Sequence, residues 1–187
     1  MKRINIFFII LTIVLSFVVV FSELDRGIVI ILKDSSIIFT LILPYIIKRL
    51  FKVNIGEGFI FVWILFIFLA HYMGVICEMY DKWYYFDKVT HTFSGVLSGC
   101  AGVVILSNVK VKSMGFKILF ILSFTWLCAG LWEVFEFTCN ALFGGDAQRV
   151  ALTGVTDTMW DMIVAFIGSI FVCIFYFIKE KYSTLGN

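Results

Sequence analysis

Asp157-Thr158-Met159-Trp160-Asp161 opens the last apolar run of the chain, and its reading decides the fold. Two carboxylates four residues apart share one face if the stretch is helical. The residues beyond Asp161 are wholly apolar apart from Ser169 over a length that suits a membrane-spanning helix. Two earlier apolar runs carry pairs of the same kind. Asp87 and His91 stand at the start of one, and Glu133 and Glu136 lie in the last third of another.

Composition supports the membrane reading. The 187 residues are 61% hydrophobic and 15% charged, with a mean hydropathy of +1.03. A soluble domain of this size would carry about 25% charged residues and about 45–50% apolar ones. One proline and 22 phenylalanines point the same way. With roughly 20 apolar residues per span, the chain has room for about six helices. The expected fold is all-α, a polytopic transmembrane helical bundle forming a single integral membrane domain over residues 1–187. Its helices are expected at about 4–21, 35–50, 58–77, 87–107, 118–142 and 156–178. The formal charge of +2 decides little by itself. The five cysteines form no C-x-x-C pair, which argues against metal fingers and disulfide frameworks. They read as buried thiols acting as small hydrophobes.

Residues 1–21 begin Met-Lys-Arg and continue as an apolar run too long for a signal-peptide core. Ser22-Glu23-Leu24-Asp25 offers no small-x-small cleavage site, so a retained first helix is expected. The second run is the shortest. Asp34 or Ser35 is the expected cap and Pro44 a source of a kink. The loop from Glu78 to Tyr85 is rich in Trp and Tyr, which suits the headgroup layer. Gly95-x-x-x-Gly99 permits close helix contact.

Lysine and arginine set the orientation. Lys2 and Arg3, then Lys48, Arg49 and Lys52, then Lys110, Lys112 and Lys117, then Lys179 and Lys181 fall on one side of a six-span chain. The positive-inside rule therefore predicts both termini in the cytoplasm. The starts of the fourth and sixth helices and the end of the fifth then lie near the outer face. At 1.5 Å per residue, the three pairs fall within roughly 10–15 Å of that boundary.

Asp87, His91, Glu133, Glu136, Asp157 and Asp161 are accordingly the candidate catalytic residues. An ionised carboxylate at mid-bilayer costs about 2.5–3.5 kcal/mol even on insertion scales. Neighbouring carboxylates repel each other, so protons, basic side chains or a cation must neutralise them. Lys88 and Arg149 are nearby basic candidates. A divalent metal is another possibility, held by Asp87, His91, Glu133, Glu136 and Asp161. Oxygen-rich ligands favour Mg²⁺, Mn²⁺ or Ca²⁺, while a histidine also admits Zn²⁺ or iron. Two structural alternatives stand beside this reading. Asp87 and Asp157 can serve only to complement helix dipoles, and the acids can form an ion-pair network. His71 reads as a packed or interfacial residue, and Trp132 and Trp160 as interface anchors or pocket walls.

In combination, Asp87-Lys88-x-x-His91, Trp132-Glu133-x-x-Glu136 and Asp157-Thr158-x-x-Asp161 with Gly168 resemble the YjdF-like family of bacterial inner-membrane proteins. The resemblance covers roughly residues 40–175, including the Pro44 helix and the basic residues after it. It implies a multi-pass protein of the bacterial cytoplasmic membrane and attaches no particular reaction. A looser similarity is to the VanZ-like family, linked to glycopeptide resistance. There Asp87, Lys88, His91, Glu133, Asp161 and Gly168 match, whereas Glu136 replaces a usual Gln and Ala165 a usual Asn.

Three functions follow as expectations. The first is a metal-dependent enzyme acting on a lipid-linked or envelope substrate at the outer face, with an acid as general base. The second is a proton- or ion-coupled transporter, against which stand the missing inverted repeat and the clustering of the acids at one face. The third is a non-catalytic factor in envelope stress or antibiotic resistance. No diagnostic catalytic motif is present. Membrane lipids are the expected partners, and no nucleic acid is.

Overall fold

The structure, a computed structural model, describes residues 1–22, 31, 35–144, 146, 148 and 150–185, with side chains to 182. Among them there are helices and no strands. The chain divides into two compact units, Met1–Thr90 and His91–Asn187. Five helices are long and apolar enough to cross a membrane.

The first unit holds α1 (Lys2–Ser22), α2 (Ile37–Phe51) and α3 (Glu57–Ile67), which continues as a π-helical stretch, Phe68–Ile76. Its direction can be read from named contacts. Asn5 Nδ2 donates to Glu57 at both the carboxylate (2.8 Å) and the backbone carbonyl (3.0 Å). One turn on, the rings of Phe8 and Phe61 stand 5.8 Å apart. Residue numbers rise together, so α1 and α3 are parallel. Trp63 Nε1 donates to Thr40 O at 2.7 Å, and Lys48 Nζ donates to Ile55 O at 2.8 Å. Numbers now run in opposite senses, so α2 is antiparallel to α3 and carries the chain back between the two parallel helices. At about 1.5 Å per residue its 15 residues reach roughly 22 Å, short of a ~30 Å hydrocarbon core. That is why α2 is absent from the membrane-length helices although the topology needs a return at that point.

The buried face of α1 is polar. Asn5, Thr12 and Ser16 are buried on one stripe, and the two hydroxyls donate to the carbonyls of Phe8 and Thr12. Such back-bonding satisfies a hydroxyl inside an apolar helix without a partner from elsewhere. In the π-helical stretch the Cys77 amide donates five residues back to Tyr72 O. The short helix α4 (Met79–Lys82) follows. Its Tyr80 ring covers Gly74, where any side chain would overlap the ring.

The next helix, α5 (Phe86–Ser107), begins in the first unit and continues into the second. There it meets α6 (Met114–Phe143) and α8 (Thr156–Leu185), with the one-turn helix α7 (Val150–Thr153) in the connection. Gly95 packs on the Ala165 carbonyl, Gly99 on Val172, and Gly168 on the Thr92 carbonyl. A methyl group on Gly95 or Gly168 would overlap backbone, so these glycines allow two parallel helices, α5 and α8, to touch main chain to main chain. Helix α6 is antiparallel to both. Ser98 Oγ donates to Thr125 Oγ1 at 3.2 Å, Gly102 packs on Ile121, and Lys117 pairs with Glu180 at 3.1 Å. Leu106, Ile121 and Cys173 form an apolar core toward that end of the unit.

Several helix limits differ from the sequence expectation. Helix α6 starts at Met114 rather than 118, because Ser113 caps it by accepting from the Phe116 amide at 3.3 Å. Helix α8 runs to Leu185 rather than 178, since Lys179, Glu180 and Lys181 are good helix formers with no Gly or Pro among them. For α2, Ser36 occupies the N-cap position without a side-chain cap bond. Asp34 and Arg149 lie outside the described residues.

Candidate acid and histidine site

The inward stripe of α8 runs Asp157, Asp161, Ala165, Ser169 and Cys173, all buried at helical spacing. The matching stripe of α5 begins with His91 and continues through Gly95 and Gly99. Because the glycines bring the two backbones together, the residues one turn earlier must face each other. His91 Nε2 lies 3.9 Å from Asp161 Oδ1. Both sit five residues into their helices, about 8 Å along the axis.

Burial separates the six candidates. His91 is 8% exposed, Glu133 5%, Asp157 3% and Asp161 2%, while Asp87 and Glu136 are half-buried. Asp87 stands one turn before His91 on the same helix and forms an ion pair with Lys88 at 3.2 Å. Glu136 accepts from Trp132 Nε1 at 2.8 Å along its own helix, beside an indole that is itself exposed. Glu133 points inward and accepts from Gln148 Nε2 at 3.1 Å, and the same amide donates to the Glu133 carbonyl at 3.0 Å. The structure therefore pairs His91 with Asp161, places Asp157 on the same stripe, and sets Glu133 against a residue of the connecting loop.

Gln148 is the site residue that sequence reasoning missed. Its place depends on Asp146, whose carboxylate accepts from the amides of Val150 (2.7 Å) and Ala151 (3.2 Å) and so starts α7. An acid shortly before an apolar run is a helix-start signal. The two hydrogen bonds from Gln148 to Glu133 had no such signal. Glu133, Gln148 and Thr158 also line a cavity of about 360 Å³, walled by Val134, Phe137, Val150 and Val155.

An imidazole with a carboxylate 3.9 Å away, both buried, can hold a proton or share a cation. The separation is longer than a hydrogen bond. Two ligands at about 2.0–2.4 Å from one ion stand roughly 3–4 Å apart, which suits it.

These features define a multi-pass helical membrane protein with a buried acid and histidine cluster. The chain belongs to the family described as predicted membrane protein (DUF2238), whose model matches residues 4–181. That membership is consistent with the YjdF-like resemblance. No curated protein and no solved structure matches the chain.

Proposed function

We propose that the working part of this protein is a divalent-cation site on α5 and α8, held by His91 and Asp161, and that it serves a reaction on a lipid-linked or envelope substrate. The observation that carries the proposal is the buried His91–Asp161 pair at 3.9 Å. Carboxylates and a histidine on facing helices are an established way to build a metal site in a bundle. A cation there would supply Lewis-acid polarisation of a substrate oxygen. In this reading Asp157, one turn before Asp161 and buried, would act as general base. Glu133 and Glu136 are not needed as ligands in this arrangement. The positive-inside pattern supports a site near the outer face of a bacterial cytoplasmic membrane. The looser VanZ-like similarity supports an envelope role.

The test is cation stoichiometry of the purified full chain. About one Mn²⁺ or Zn²⁺ per chain is expected, lost in His91→Ala and in Asp161→Asn. A wild-type chain that binds no more than these variants would overturn the proposal.

A second reading has one observation in its favour. Ser98, Thr125 and Ser169 place hydroxyls inside the second unit, beyond Asp161 along the same helices. Such a line suits proton transfer toward the opposite end. Proton flux in proteoliposomes, abolished by Thr125→Val, would favour transport over the enzyme.

A further inference from the structure

The end of the second unit away from the acid and histidine site is basic. Lys110 and Lys112 lie in the connection between α5 and α6, and Lys179 lies in the last turns of α8, roughly 27 Å along that helix from Asp161. Their neighbours fix where they stand. Val111 packs against the core of Leu106, Ile121 and Cys173, and so does Tyr176. The lysines on either side of Val111 are exposed. Lys179 follows Tyr176 by nearly one turn, about 60° around the helix, and is exposed as well. The three side chains therefore border one small core. Compensating acid is nearly absent. The sequence has no Asp or Glu from Lys88 to Trp132, and Glu180 is the only one after Asp161. Glu180 pairs with Lys117 at 3.1 Å, and the Lys117 ammonium stands 5.6 Å from the centre of the Tyr176 ring. Lys110, Lys112 and Lys179 have no ion pair among the described residues. The positive end of the α6 dipole, at Met114, adds to their field.

We infer that this end of the second unit binds the head of an anionic phospholipid, with the phosphate held among Lys110, Lys112 and Lys179. Depth argues for a lipid over a soluble anion. Phe116 at the start of α6 and Phe175 on α8 are exposed on helices of membrane length, so lipid chains cover this surface. The three lysines lie just beyond it, at the level of the headgroups, where the bilayer itself holds phosphate in place. Charge then selects among lipids. A lysine ammonium has three donors and no acceptor, which suits phosphate oxygens. A zwitterionic head brings its own ammonium to a surface that is already cationic, whereas a head of net negative charge does not. Each lysine near the headgroups adds attraction of similar size, so the three act together. The inference goes beyond the cation site and does not depend on it.

The experiment uses the full chain in nanodiscs of equal phosphatidylethanolamine and phosphatidylglycerol, with the retained lipid identified by native mass spectrometry. Wild type is expected to retain the anionic lipid about tenfold over the zwitterionic one. Lys110→Gln, Lys112→Gln and Lys179→Gln combined should reduce the preference to about twofold or less. The same three positions changed to Arg keep the charge and should keep the preference, which separates loss of charge from loss of fold. Reconstitution at about 1 M salt, where the screening length is about 3 Å, should weaken it. Equal retention of both lipids by wild type would mean annular lipid only and would overturn the inference. So would a preference that survives the three Gln substitutions. A preference abolished by millimolar inorganic phosphate at constant ionic strength would mark a soluble-anion site and would also overturn it. His91→Ala should lose the cation and keep the lipid preference, so failure of the cation proposal and failure of this one are told apart.

Discussion

Gly95→Ala adds a single methyl group at the tightest contact between α5 and α8. The new Cβ would overlap the Ala165 carbonyl, which is backbone and cannot rotate away. Restoring an ordinary contact of about 3.5 Å requires the two helices to part by roughly 1–2 Å. Overpacking of this kind costs about 1–3 kcal/mol. The alanine regains up to about 1 kcal/mol of helix propensity, so a net loss of up to about 2 kcal/mol is expected. The consequence for the site is larger than that for the fold. His91 and Asp161 each lie one turn before the contact, on the same two helices. Their 3.9 Å separation would grow to roughly 5 Å or more, beyond what two ligands about 2.0–2.4 Å from one ion can span. The assay is thermal unfolding in detergent together with cation stoichiometry. Gly130→Ala is the control, because its nearest neighbour is the flexible end of Met162 at 3.7 Å. Gly95→Ala should lower Tm and abolish cation binding, and Gly130→Ala should do neither. Unchanged Tm in Gly95→Ala would refute the close approach. A lowered Tm with full cation binding would refute the link between helix contact and site.

Two other perturbations test separate parts of the account. Asn5→Ala removes both bonds from α1 to Glu57 and leaves a half-buried carboxylate without that donor. A loss of about 1.5–3 kcal/mol is expected, and thermal unfolding indistinguishable from wild type would show that these bonds do not hold α1 against α3. Gln148→Ala releases the loop from Glu133. Faster hydrogen exchange across Val150–Thr153 is expected, with unchanged exchange at the Ser98–Thr125 level, and protection of α7 equal to wild type would contradict the tether.

The apolar runs were legible because an uncharged run of some twenty residues has few other fates. Their ends were less so. Lys117 looked like loop, yet its side chain reaches Glu180, so a charge in the first turn of α6 did not end the helix. The π-helical Phe68–Ile76 carries no compositional mark, since it differs from an α-helix only in which carbonyl each amide meets. At the site, the four-residue spacing of Asp157 and Asp161 correctly predicted a shared face, and the structure buries it. Glu133 and Glu136 are three apart, about 60° around a helix. Spacing alone left open whether both turn inward, and packing turned only Glu133 fully in. Gln148 was unreadable because its role comes from a loop that folds back on α6.

The chain has only two histidines, His71 and His91, and this permits a direct test of the cation site. The full chain loaded with one equivalent of Mn²⁺ should show nitrogen modulation from a coordinated imidazole in pulsed electron paramagnetic resonance. His71→Gln should retain the signal, and His91→Gln should lose it. A signal absent from wild type, or one that disappears with His71 instead, would contradict the placement of a cation between His91 and Asp161.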